Sequence, residues 1–136
     1  MDHPYLDTSA IIYLVEGSAS VRARIAALVA KADCCPTGHL LTSRLAQLEC
    51  RAKPLRDEDA TALAIYDAFF TRARLTVVEI TPLVLDCATE LHARHGFTVP
   101  DAIHLASAME ARADSFVTAN ADLANCPDVN VELLTL

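Results

Sequence analysis

Apolar positions in this chain come in short dense clusters separated by longer stripes at helical spacing. Tyr5-Leu6 reads as a short strand ending at Asp7, and Thr8 or Ser9 is placed to start a helix through Ala10–Val15 that Gly17-Ser18 breaks. Val21, Ile25, Leu28 and Val29 recur at helical spacing and predict a helix over about Ser20–Ala32. An extended piece at Gly38–Leu41 follows. Thr42 or Ser43 then opens a helix whose inward stripe is Leu41, Leu45, Leu48 and Ala52, and Pro54 is expected to end it. A further helix is expected from Asp57 to Arg72. Leu75–Ile80, rich in β-branched residues, is the clearest strand. Pro82 opens a helix that stops at His95-Gly96. Asp101–Ala113 is apolar on nearly every side, as a buried helix is. Ser115–Thr118 and Val131–Leu134 supply the last strands. Short strands alternating with helices predict an α/β fold with a parallel, helix-covered sheet, and ligands of such sheets gather beyond the carboxyl ends of the strands.

A chain of 136 residues is expected to form a single domain, residues 1–136, with a proper core. Hydrophobic residues make up 53% of it, yet no apolar run approaches the roughly 18 residues of a membrane span. Met1-Asp2-His3-Pro4 lacks the basic start and apolar block of a secretion leader, so a cytoplasmic protein is expected. The surplus apolar content suits an oligomer or partner surface. The five cysteines include no C-x-x-C pair and read as reduced, mostly buried small hydrophobes. His92-x-x-His95 lacks a matching pair for zinc and reads as a polar helix end.

The formal net charge of −7 argues against a generic nucleic-acid-coating protein, which is usually basic. It does not exclude a nuclease, because a metal-loaded acidic site supplies local positive charge. Arg22, Arg24 and Lys31, then Arg44, Arg51, Lys53 and Arg56, form two basic groups that read equally as solvated helix faces.

The chemistry lies in four carboxylates with apolar neighbours: Asp7, Glu49, Asp101 and Asp122. Taken singly, Asp7, Asp101 and Asp122 read equally as loop or helix-cap residues. Glu49 is more telling, since it borders the inward stripe of its helix, where a structural Glu belongs only if paired with an Arg such as Arg94 or Arg112. Isolated buried carboxylates are costly, and a cluster is tolerable when a cation neutralises it. Oxygen ligands suit Mg²⁺ or Mn²⁺. That points to hydrolysis of phosphodiesters by metal-activated water. No G-x-S-x-G elbow and no glycine-rich phosphate loop offers another route. On this reading Glu49→Gln spares or improves stability, by relieving repulsion among carboxylates.

Leu6-Asp7-Thr8-Ser9, Thr42–Glu49, Pro100–Ala108 and Phe116–Leu123 together resemble the PIN-domain ribonucleases, most closely the VapC-type toxins of bacterial toxin–antitoxin pairs. The likeness covers nearly the whole chain, and Pro100–Ala108 is its most specific part. It implies a PIN-like three-layer α/β/α sandwich with a small, mainly parallel sheet. It implies metal binding by Asp7, Glu49 and Asp101, with Ser9 and Thr118 supporting the site by hydrogen bonds. The family often carries Asp two residues after the Thr, where this chain has Asn120. Asp122, displaced by two residues, is the candidate for the missing charge, and Asn120 for orienting water or ligating through its amide. The resemblance also implies an RNA substrate, a homodimer and a protein antitoxin, with a heterotetramer or larger assembly in the complex. The alternative is a non-catalytic PIN-like module that binds RNA or protein, for which Asn120 is the main support. A phosphoacceptor receiver domain needs a late Lys, and the last here is Lys53; a dehalogenase-like phosphatase needs Asp where Ser9 stands.

Overall fold

The structure is a computed structural model, and it describes residues 3–135. Met1 and Asp2, on which the expectation of no leader partly rests, lie outside the described residues. The element order is β1 (Pro4–Leu6), α1 (Thr8–Glu16), α2 (Ala19–Cys34), β2 (Leu40–Ser43), α3 (Arg44–Arg56), α4 (Ala60–Phe70), β3 (Leu75–Val78), α5 (Pro82–His95), α6 (Val99–Glu110), β4 (Ser115–Thr118), a 3₁₀ turn (Ala121–Leu123) and β5 (Val131–Leu133). The strands form one sheet in the order β3-β2-β1-β4-β5, and every pairing is parallel.

Alternation along the strands sorts the core into two halves. Tyr5, Leu41 and Phe116 face α5 and α6, where they meet Val84, Leu91 and Leu105. Leu6, Leu40 and Val117 face the other way, toward Ile11, Ile25, Tyr66 and Phe70 on the first four helices. This is the expected three-layer α/β/α arrangement. The chain leaves β1 toward β2 and β3, then crosses back to add β4 and β5 on its other side. The order therefore reverses at β1 and β4, and their carboxyl ends open the crevice where α/β sheets hold ligands.

Several boundaries differ from the sequence expectation, each for a local reason. The helix after β1 is capped by Asp7 itself, whose side chain accepts from the Ala10 N–H. Pro54 lies inside the last turn of α3, buried, rather than ending it. The inward stripe of α3 is Ala46, Cys50 and Pro54, while Leu48 is 64% exposed. Helix α6 starts earlier than expected: Thr98 caps it by accepting from the Asp101 N–H, which makes Asp101 a first-turn acid rather than the cap. Gly96 ends α5 at φ 74°, as its place in the sequence predicts. Of the cysteines, Cys50 and Cys126 are buried and Cys34 is exposed; none forms a disulfide among the described residues. Among the described residues no helix is long and apolar enough to cross a membrane.

Candidate active site

Asp7 follows the central strand directly, and only 5% of it is exposed. Its Oδ1 accepts from Ser9 Oγ at 2.6 Å and from the Ala10 N–H at 3.0 Å, and its Oδ2 accepts from Thr118 Oγ1 at 2.5 Å. Ser9 Oγ in turn accepts from the Ala119 N–H at 3.0 Å, which ties the start of α1 to the end of β4. The two supporting residues, Ser9 and Thr118, thus both hold the same carboxylate. Burial pushes the Asp7 carboxyl above the ordinary aspartate range, and the bonds from Ser9, Thr118 and Ala10, with the nearby His104, offset only part of that.

Glu49 projects from α3 beside the buried stripe, its side chain 31% exposed. Its Oε1 accepts from Thr8 Oγ1 at 2.6 Å and from His104 Nε2 at 2.7 Å. Among the described residues no arginine pairs with it; Arg94 instead pairs with Glu90. Burial would raise the Glu49 carboxyl, but the bonds from His104 and Thr8 and the charge interaction with His104 outweigh it and hold the group below the ordinary glutamate range. The expectation of neutral or improved stability for Glu49→Gln is therefore reversed. A depressed folded-state pKa contributes stability above the unfolded value, ~4.3, and loses it as pH falls through the folded one. In EDTA, Glu49→Gln is expected to be less stable than wild type at pH 7 by under about 1 kcal/mol, given its exposure. The gap should close as pH falls below the folded value, as urea denaturation at neutral and acid pH will read.

Asp101 stands in the first turn of α6, partly exposed. Its neighbour is Asn120, whose Nδ2 lies 3.5 Å from Asp101 Oδ2 and whose backbone N–H donates to Thr118 Oγ1 at 3.0 Å. Asn120 Oδ1 accepts from the Asp122 N–H at 3.0 Å, closing the 3₁₀ turn. Asp122 itself is exposed on that turn and does not follow β4 directly; only its backbone joins the cluster. At the fourth position the structure brings Asn120, not the Asp122 carboxylate, against Asp101.

Four residues outside the sequence-predicted site form a second network around Glu49. His104 is 3% exposed on α6, and its Nδ1 lies 2.8 Å from Tyr5 Oη. Tyr5 donates to Ser43 Oγ at 2.8 Å, and Thr8 joins at Glu49. The signal for His104 is its place: a polar residue three positions after an acid in an otherwise apolar helix. Burial, reinforced by the negative charges of Asp7 and Glu49 and only partly offset by the bond with Ser43, leaves the Tyr5 hydroxyl with a strongly raised pKa. The Cys50 thiol beneath Glu49 is pushed up to about 12 by burial and by Glu49, Asp7 and Glu16, so it is no nucleophile.

The donors around this mouth are carboxylates, hydroxyls and an amide, the chemistry of a hard cation. None of the ion pairs seen among the described residues brings a lysine or arginine to Asp7, Glu49 or Asp101. A buried carboxylate raised in pKa with no basic side chain against it is stabilised by a cation. Among the described residues, however, no three His, Cys, Asp or Glu side chains converge closely enough to enclose an ion on their own. The set fits an ion held by few carboxylates, with water and a substrate phosphate completing its shell, as Mg²⁺ is commonly held. Beside Glu49 a cleft of about 460 Å³ runs between α1, α3 and α4, lined by Glu16, Lys53, Asp59 and Tyr66 among others. The second basic group is largely spent on acids: Arg44 pairs with Glu79, Arg51 with Asp67 and Arg56 with Asp57.

The family profile of the PIN domain matches residues 5–128. No curated protein matches the chain in sequence. Among solved structures, the chain is similar to a toxin–antitoxin complex from Klebsiella pneumoniae, 19% identical over 97% of this chain and 98% of that one, with a TM-score of 0.74. It is similar to VapC20 of Mycobacterium tuberculosis, described as a toxin that cleaves the sarcin–ricin loop, 19% identical over 95% and 98% of the two chains, with a TM-score of 0.74. VapBC-1 from nontypeable Haemophilus influenzae gives 16% identity over 98% of each chain and a TM-score of 0.74. At these identities the likeness establishes the fold.

Proposed function

We propose that this chain, which belongs to the PIN domain family, is a metal-dependent endoribonuclease acting as the toxin of a toxin–antitoxin pair. One observation carries the reading. Asp7 and Asp101 join one hydrogen-bond network through Thr118 and Asn120 at the carboxyl ends of β1 and β4, and Glu49 joins a second through Thr8, the residue after Asp7, and His104, whose charge interaction reaches both Asp7 and Glu49. Asp7, Glu49 and Asp101 would hold a divalent cation, Mg²⁺ or Mn²⁺. When bound, that ion polarises the phosphoryl oxygen, lowers the pKa of an attacking water and stabilises the leaving oxygen. Ser9 and Thr118 keep the Asp7 carboxylate fixed and favour its ionised form. Asn120 orients Asp101 and closes the turn beside it.

Membership of the PIN domain family supports RNA as the substrate. Residues 1–136 act as a single PIN domain in the cytoplasm. The solved complexes support a protein antitoxin as partner. Exposed Leu48, Leu55, Ile65, Leu83, Leu85 and Val99 supply apolar surface that a homodimer or an antitoxin-bound assembly would cover.

One observation favours a second reading, a non-catalytic module that binds RNA or protein: no three ligands enclose an ion among the described residues. Induction of wild type, Asp7→Asn and Asp101→Asn in a bacterium without the antitoxin separates the two. The nuclease reading predicts growth arrest and discrete new RNA 5′ ends with wild type alone. Equal effects from all three proteins would favour the binding module.

The fourth position has its own test. Asp122→Asn is expected to leave cleavage within about twofold of wild type, because its carboxylate stands outside the network. Asn120→Asp, which adds a carboxylate beside Asp101, is expected to tighten Mn²⁺ binding by calorimetry. A large loss of cleavage in Asp122→Asn would return that residue to the site.

A further inference from the structure

We infer that His104 is the positioning residue of the acidic site, fixing the Glu49 carboxylate by bracing α3 against β1 and α6; the inference rests on the metal-dependent reading above. His104 lies one helical turn beyond Asp101, so the two share a face of α6. Both ring nitrogens are engaged. Nε2 meets Glu49 Oε1 at 2.7 Å and Thr8 Oγ1 at 3.2 Å, and Nδ1 meets Tyr5 Oη at 2.8 Å. A carboxylate only accepts, so the hydrogen-bond network assigns a proton to Nε2.

The path does not end at Tyr5. The Tyr5 hydroxyl donates to Ser43 Oγ, and Ser43 is the residue that caps α3 by accepting from the Ala46 N–H at 3.3 Å. The bonds therefore leave α3 at its cap, cross the central strand and α6, and return to α3 at Glu49. This loop joins the strand that precedes Asp7, the helix that carries Glu49 and the helix that carries Asp101.

The consequence is local to one oxygen. A partly exposed glutamate keeps its rotamer freedom unless its carboxylate is held. Here two donors converge on Oε1, which leaves Oε2 without a hydrogen bond among the described residues. Glu49 thus presents one free oxygen in a set orientation. A histidine serving only to fill the core would need no such reach: Leu105 and Ala106 beside it are fully buried without polar atoms.

The full-length protein is titrated with Mn²⁺ and followed by EPR, as wild type, His104→Leu, His104→Gln and Tyr5→Phe. His104→Leu, which fills the space without a donor, is expected to weaken Mn²⁺ binding about tenfold. His104→Gln keeps an N–H that reaches Glu49 and is expected to recover most of that loss. A folded His104→Leu that binds as wild type does, or a His104→Gln no better than Leu, overturns the inference. Should His104→Leu not fold, Tyr5→Phe decides: binding several-fold weaker than wild type upholds the inference, and binding equal to it overturns it. A wild type that binds no Mn²⁺ overturns the metal-dependent reading itself, which the variants alone do not test.

Discussion

Asp7→Asn is expected to abolish RNA cleavage while raising the melting temperature of the metal-free protein. The two effects have one source. Asp7 is the most buried carboxylate of the site, and burial holds its folded-state pKa above the ordinary value. Ionising it in the fold costs free energy that Asn does not incur. Asn also preserves the shape: its oxygen can accept from Ser9 and Ala10, and its amide can donate to Thr118, which rotates to accept. The sign follows from linkage. A carboxyl raised in the fold stabilises it fully below the unfolded value, ~3.9, and that contribution is lost as pH rises through the folded one. The variant escapes the loss, so its advantage opens from acid toward neutral pH. At pH 7 in EDTA it should melt a few degrees higher, as about 1 kcal/mol does in a chain of this length. Cleavage should fall by at least about 100-fold, the scale of losing one electrostatic group at a reacting centre. A variant that is both less stable and still active would contradict the assignment.

Asp101→Asn is expected to lose cleavage on the same scale with stability almost unchanged. Asp101 is partly exposed, and the one hydrogen bond its side chain makes among the described residues is the long one from Asn120. Its place in the first turn of α6 favours a negative charge by about 0.3–1 kcal/mol. Losing that term makes the variant slightly less stable than wild type, the opposite of Asp7→Asn. Activity and melting curves on the pair therefore separate a shared role in chemistry from their different roles in the fold. If Asp101→Asn cleaves at the wild-type rate, Asp101 is only a helix-terminus charge.

The layer architecture was legible because it follows from periodicity and punctuation. Tyr5-Leu6, Leu75–Val78 and Ser115–Thr118 are strands as their apolar and β-branched runs predict, and Gly96 stops α5 in the left-handed conformation that suits glycine. The α3 stripe was misplaced because Leu48 and Leu55 are apolar yet exposed, so hydrophobicity alone gives the wrong phase. Pro54 misled because a proline near a helix end costs little when the chain is about to turn. The start of α6 was missed because Thr98 caps it three residues before Asp101, and Asp101 is itself a favoured cap type. At the site, Asp7, Ser9 and Thr118 meet as the family resemblance implies. His104 escaped because its role depends on a strand and a helix far away in sequence, Tyr5 and Glu49, that only the fold brings to its two nitrogens. Asp122 drew attention by its charge, but the short turn after β4 sends its side chain to solvent and leaves Asn120 beside Asp101.

The decisive measurement is cleavage by the purified protein itself. Wild type and Asp101→Asn are incubated with total bacterial RNA in Mn²⁺, in Mg²⁺ or in EDTA, and new 5′ ends are mapped. A metal-dependent endoribonuclease built on these carboxylates produces discrete ends with wild type in the presence of an ion, and none in EDTA or with Asp101→Asn. Ends that persist at the wild-type yield in EDTA, or in the Asp101→Asn reaction, would contradict it.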